Sequence, residues 1–232
     1  LLRRASHSEV EWTVENLNGK FEARRRFGVS PAERRLPDFE MTVQIGNVDA
    51  RPAKPYRTLP VFNGWIAAYN LGEFGSAVYW FSANGRSRKK LSEHRVKQFM
   101  LEGDRIFAIE GISHLGLSHG SMIEFRRRDQ DWRIEEFMKF PASPEAIARI
   151  GPADYFVVTS DMLLRVNLSR EMRIIVPTGN WIALYPNSIA TDGEFVYIGM
   201  RQFVVRTRVS NSIEKFDLLV PDAKWLNDKA HP

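Results

Sequence analysis

Short apolar runs alternate along this chain with polar stretches that carry glycine and proline. No apolar run reaches the length of a membrane span. Four runs combine aromatic and β-branched residues: 65–69 (WIAAY), 106–109 (IFAI), 155–158 (YFVV) and 195–198 (FVYI). Their starts lie 41, 49 and 40 residues apart. A second run follows each of them, at 77–81, 122–125, 162–166 and 202–205, across connections that hold Gly72, Gly75, Gly111, Gly116, Asp161 and Gly199. Short, bulky, β-rich segments separated by glycine or aspartate are what a buried strand and its hairpin partner require.

A third run completes the later units at 132–138, 172–176 and 213–220, and these close toward Pro141, Pro177 and Pro221. Proline caps an exposed strand edge because it has no N–H to offer a further strand. The first unit has only a polar counterpart near 88–91. A smaller, less aromatic run precedes the last three units, at 95–100, 144–148 and 187–191, and 56–63 supplies the equivalent for the first. Residues 144–150 also fit a helical turn. Four strands in each forty-odd residues predict an all-β fold, a β-propeller of four-stranded antiparallel blades. The clearer blades are expected at 56–92, 95–140, 144–177 and 187–221, within one domain over 1–232.

Residues 8–46 lie outside this repeat but also read as strands, at 10–14, 21–23 and 39–45, with Asn18-Gly19 as a hairpin turn. Charged, proline-bearing loops are expected at 25–37 and 46–55. The expectation is five blades, four clear and one irregular and N-terminal, with the N-terminal strands packed on the last blade around 203–219.

Residues 186–199 (PNSIATDGEFVYIG) resemble a blade of the NHL or YVTN propeller families, running from a small inner strand through Asp-Gly into an aromatic second strand. Residues 102–109 are a looser copy. The resemblance implies the fold and little chemistry, because propellers host many functions. No WD dipeptide, kelch double glycine or sialidase-type aspartate box occurs.

Composition narrows the chemistry. Apolar residues make up 44% of the 232, an ordinary globular share. There is no cysteine, which removes disulfides, thiolate metal sites and a cysteine nucleophile. The net charge is +5 and uneven: residues 1–99 hold 17 Lys/Arg against 10 Asp/Glu, and residues 100–232 hold 16 against 18. Arg24, Arg25, Arg26, Arg34, Arg35, Arg86, Arg88, Lys89 and Lys90 carry most of the excess, and such a face attracts anionic partners. The chain starts Leu1-Leu2-Arg3-Arg4. A processed terminus there implies a periplasmic or secreted protein, and otherwise the expectation is cytoplasmic.

No catalytic group can be assigned. His114 and His119 fall in a stretch expected to be a solvated loop, without the spacing of a helical zinc motif. Asp104, Asp154, Asp161 and Asp192 stand at turns, where aspartate bonds the following backbone. Ser160 and Ser188 lack a nucleophile elbow, and no phosphate-binding or dinucleotide-binding glycine pattern is present. No metal and no cofactor are expected.

Trp65, Tyr69, Tyr79, Trp80 and Phe81 crowd one unit beside the basic run at 86–90. Alternation places Tyr79 and Phe81 on one face and Trp80 on the other, so at least one face is packing. Trp65, Tyr69 and Trp80 with Arg24, Arg25, Arg26, Arg86, Arg88, Lys89 and Lys90 are the candidate binding residues. The reading is a non-catalytic propeller that binds another, acidic protein, such as a subunit of an envelope complex or an inhibitor of a toxin. The alternatives are a channel-active hydrolase, lactonase-like or glycan-cleaving, and polyanion binding through the basic N-terminal part; nothing specific supports nucleic acid.

Overall fold

The computed structural model describes residues 10–17, 20–26, 37–46, 49–129, 131–177, 182–209 and 216–220. Among the described residues the fold is all-β, with four four-stranded antiparallel sheets. The first contains β5 (Arg57–Val61), β6 (Gly64–Asn70), β7 (Ser76–Ser82) and β8 (Arg88–Ser92), and the second β9 (Val96–Glu102), β10 (Arg105–His114), β11 (Leu117–Arg128) and β12 (Asp131–Phe140). The third contains β13 (Pro144–Gly151), β14 (Asp154–Thr159), β15 (Leu163–Asn167) and β16 (Met172–Val176), and the fourth β17 (Ser188–Thr191), β18 (Phe195–Gly199), β19 (Val204–Arg208) and β20 (Asp217–Leu219). In each sheet the strands lie side by side in chain order, a simple meander.

Two compact units divide the chain, Leu1–Gly28 with Ala146–Pro232, and Val29–Glu145. In the second unit, the alternation of β6 and β7 sends side chains to two different cores. Ala67, Tyr69, Ala77, Tyr79 and Phe81 meet Met41, Val43 and Ile45 on one side. Ile66, Ala68 and Val78 meet Val96, Ile106, Ala108, Ile123 and Phe125 on the other. Tyr79 fastens the first of these contacts, because its hydroxyl donates to the Gln44 carbonyl at 2.8 Å and accepts from the Gln44 amide at 3.2 Å.

The first unit is built on the same principle. Phe156, Val158 and Leu163 of the third sheet pack with Val196, Ile198 and Val205 of the fourth and with Phe203 just before β19. The other face of the fourth sheet is covered by the hairpin of β1 (Trp12–Leu17) and β2 (Lys20–Arg25), which places Trp12 and Val14 on Ala190, Tyr197 and Val204. The Trp12 amide donates to Met200 O at 3.0 Å, the Val14 amide donates to Ser188 Oγ at 2.9 Å, and Phe21 stacks on Tyr197 with ring centres 3.8 Å apart.

The described parts of residues 8–46 do not lie in one sheet. Their first strands pair with each other in one unit, while β3 (Thr42–Val43) pairs with β4 (Arg51–Pro52) in the other. Each piece has its own apolar stripe, and each stripe covers a different sheet. The β1–β2 register ends at Leu17 opposite Lys20, and the predicted turn residues Asn18 and Gly19 lie outside the described residues.

Two local expectations are corrected. Residues 144–150 are not a helical turn but the strand β13, hydrogen-bonded to β14, where Ala146 joins the core shared with Phe156. The stretch around His114 and His119 is not a loop. β10 and β11 stay in register to the pair His114 opposite Leu117, and the turn is only Leu115-Gly116, with φ of 47° and 82°. Glycine accepts such a φ without strain, and so supports a tight two-residue turn.

Candidate binding surface

The hairpin between β5 and β6 turns at Phe62-Asn63. Gly64 follows with φ of 149°, and a β-carbon there would stand 1.9 Å from the Phe81 carbonyl oxygen, so only glycine lets β6 run this close to β7. The turn lifts Phe62 into solvent, where it is 71% exposed. Asn63 points the other way. Its Oδ1 accepts from Trp80 Nε1 at 3.1 Å and from Trp132 Nε1 at 3.4 Å, so one amide oxygen holds an indole from each of two sheets. Both indoles are half-buried, with Trp132 packed against the core between the first and second sheets.

Strand register brings cations to the same place. Lys89 lies directly opposite Trp80, and Arg127 directly opposite Trp132. Lys89 Nζ meets Asp131 Oδ2 at 2.8 Å, tying β8 to β12. Both ends of that bridge are more than half exposed, so it adds little stability. The guanidinium carbon of Arg127 stands 3.9 Å from the centre of the Phe62 ring. This is a cation–π stack on an exposed aromatic.

The other cations are distributed differently. Arg24 is bonded to Glu22 at 2.6 Å and to Glu15 at 3.2 Å, and Arg26 to Glu11 at 2.9 Å. The hydrogen bond from Arg24 holds the Glu22 carboxyl below its ordinary value. Arg25 is exposed on β2. In the run at 86–90, Arg88 and Lys90 are opposite Phe81 and Tyr79, away from the face that Lys89 shares with Trp80. Lys90 is bonded to Glu93 at 2.8 Å, and Arg86 is exposed in the turn before β8. Tyr69 is 1% exposed, and burial followed by the neighbouring Tyr79 pushes its hydroxyl well above the ordinary tyrosine value. It has no surface to offer, and Trp65 is half-buried against the same core. Of the sequence-derived candidates, the structure brings Trp80 and Lys89 together.

The sequence reading passed over Phe62, Asn63, Arg127 and Trp132. Signals for them existed: Asn63-Gly64 is a hairpin turn signal with an aromatic beside it, and Arg126-Arg127-Arg128 is a basic triplet like that at 24–26. The acidic balance of the second half hid the triplet. Its members also part company in the fold. Arg126 and Arg105 both bond the buried Glu124. Burial raises the Glu124 carboxyl, and the hydrogen bonds from Arg105 and Arg126 more than offset it, so the net shift is downward. Arg127 is left with Phe62 and no acidic partner among the described residues.

The remaining polar candidates stand in turns or on strands: Asp192 in a turn, and Asp154, Ser188 and His119 on strands. Asp192 accepts from the amides of Phe195 at 2.7 Å and Glu194 at 3.0 Å and from the Tyr197 hydroxyl at 2.9 Å. Asp154 is bonded by Arg165 at 2.5 Å, at the edge of a cleft of about 930 Å³ between the turns at 152–154 and 167–171. Its lining groups bond one another: Asn167 Nδ2 donates to Glu171 Oε2 at 2.6 Å, and Asn167 Oδ1 accepts from the Ser169 and Glu171 amides. Among the described residues no three His, Asp or Glu side chains converge as metal ligands, and no helix is long and apolar enough to cross a membrane.

No family model matches the chain, and no curated protein matches its sequence. Solved structures do. The extracellular domain of a B. thetaiotaomicron protein described as a one component system matches at TM-score 0.52 and 10% identity, over 92% of this chain and 27% of that one. A gluconolactonase from Xanthomonas campestris matches at TM-score 0.45 and 10% identity, over 74% of this chain and 62% of that one. Virginiamycin B lyase from Staphylococcus aureus matches at TM-score 0.47 and 12% identity, over 73% and 56%. The chain thus spans less than two thirds of the length of each of these three proteins. At such identities the first likeness concerns the fold alone.

Proposed function

We propose that the four meanders are propeller blades and that the chain is a non-catalytic binding module for another protein, contacted through the surface around Phe62. One observation carries this reading: Phe62 is 71% exposed, capped by Arg127 and set beside two tryptophans that Asn63 holds in place. Aromatic and arginine side chains fixed in advance lose little entropy on association, and the residues that dominate protein interfaces are drawn from these types. A single exposed apolar residue needs no explanation, but an exposed phenylalanine within an ordered aromatic and cationic group does.

The test is affinity capture from the native source with the wild-type chain and with the Phe62→Ala/Arg127→Ala variant. A partner retained by the wild type and lost by a folded double variant supports the reading. A partner retained equally by both places the contact elsewhere.

A further inference from the structure

We infer that the Phe62 surface docks an acidic peptide segment, a carboxylate seated on Arg127 beside an apolar side chain laid on Phe62. This rests on the protein-binding reading above and names the chemistry of the partner.

The contact with Phe62 holds the Arg127 guanidinium carbon 3.9 Å from the ring centre, and a phenyl ring accepts no conventional hydrogen bond from its N–H groups. No carboxylate among the described residues meets them. A guanidinium held over a ring, with donors not engaged by a carboxylate, can make two parallel hydrogen bonds to one. Arg24, Arg26, Arg126, Arg165 and Arg206, by contrast, each have a carboxylate partner at 3.3 Å or closer.

The neighbours reinforce the choice. Arg128 and Arg133 are exposed in the same hairpin on the opposite face from Arg127 and Trp132, and add positive charge to the hairpin without lining the Phe62 surface. Lys89 already holds an exposed carboxylate, that of Asp131, at 2.8 Å. A carboxylate is thus received at this rim within the chain itself, by a bridge weak enough to exchange. The apolar half of the ligand follows from Phe62, whose exposed ring offers contact area and no hydrogen bond. A nucleic acid fits less well, because Asp129 and Asp131 stand among these cations and repel a continuous phosphate backbone.

The experiment is selection of random peptides displayed on phage against the wild-type chain, followed by affinity measurement with the synthesised winners. The expected winners carry aspartate or glutamate next to a large apolar residue. They bind about tenfold or more weaker to Arg127→Ala and also to Arg127→Lys, which keeps the charge and loses the fork. They bind about threefold or more tighter to Asp131→Asn, which removes the competing carboxylate. Circular dichroism and the urea midpoint establish that each variant is folded. Apolar winners without acidic residues that are lost on Phe62→Ala overturn the acidic chemistry and leave the docking surface standing. Winners indifferent to both Phe62→Ala and Arg127→Ala overturn the surface as well. No enrichment, or tighter binding of a single-stranded oligonucleotide than of any winner, also overturns the inference.

Discussion

The backbone of Trp12 passes directly over Gly199, so that a β-carbon on residue 199 would stand 2.4 Å from the Trp12 carbonyl oxygen. The same β-carbon would stand 2.4 Å from Ser188 Oγ, the atom that receives the Val14 amide. Gly199→Ala must therefore push the N-terminal hairpin off the fourth sheet or distort that sheet. The expected cost is about 1–3 kcal/mol, read as a lower urea midpoint. Limited proteolysis should cut the hairpin faster in the variant than in the wild type. Equal cutting and an equal midpoint would show that the hairpin is not held where Trp12 and Val14 place it.

Removing the hairpin altogether is the stronger test. Deleting residues 1–26 uncovers Ala190, Tyr197 and Val204, which Trp12, Val14 and Phe21 now cover. An uncovered apolar sheet face should make the truncated chain insoluble or grossly destabilised. A truncated chain that remains monomeric with an unchanged midpoint would mean this face tolerates water.

Phe107 and Phe156 are 0% and 1% exposed. Phe107 meets the Phe137 ring at 5.1 Å, and Phe156 sits in the core shared by the third and fourth sheets. Truncation of either to alanine should cost about 3–5 kcal/mol, seen as a fall in the denaturation midpoint. The two rings lie in different units, so the two single variants probe the cores separately.

Asn63→Ala leaves the Trp80 and Trp132 indole N–H groups without the oxygen that both now share. Two half-buried donors losing their acceptor should cost about 1–3 kcal/mol. Tryptophan emission should shift, because the indole surroundings change. The Asn63→Ala variant should also bind any captured partner more weakly, through loss of the fixed ring positions. An unchanged spectrum and midpoint would show that the two rings do not depend on Asn63.

Asp192 gives a pH dependence with a definite sign. The Phe195 amide first, then the Tyr197 hydroxyl and the Glu194 amide, hold its carboxyl below the ordinary aspartate value despite partial desolvation. The folded state therefore releases this proton more readily than the unfolded chain. The resulting stability is fully present above the unfolded pKa and is lost as the pH falls through the lowered folded value. Asp192→Asn should flatten the acid limb of the stability curve, measured as urea midpoint against pH. An acid limb identical in the variant and the wild type would exclude Asp192 as its source.

The sequence by itself determined the strands and their faces, because period-two alternation is a local property. Tyr79 and Phe81 go to one core and Val78 to the other, with Trp80 on the Val78 side of the strand, as their spacing dictates, and the aromatic and β-branched runs at 65–69, 106–109, 155–158 and 195–198 each become a strand of a meander. Turn chemistry was legible for the same reason: Asp192 bonds amides two and three residues ahead of it. Only the tertiary structure decided which strands face each other across a core, and the binding surface depends on that. Asn63 and Trp132 are 69 residues apart, and no local pattern says that their side chains share a hydrogen bond. Charge shows the same limit. The triplets at 24–26 and 126–128 look alike as sequence, yet Arg24 and Arg26 are neutralised by Glu15, Glu22 and Glu11, while Arg127 is left to stack on Phe62. A cation's availability depends on what lies opposite it, and in a sheet protein that neighbour is set by pairing and packing between distant segments.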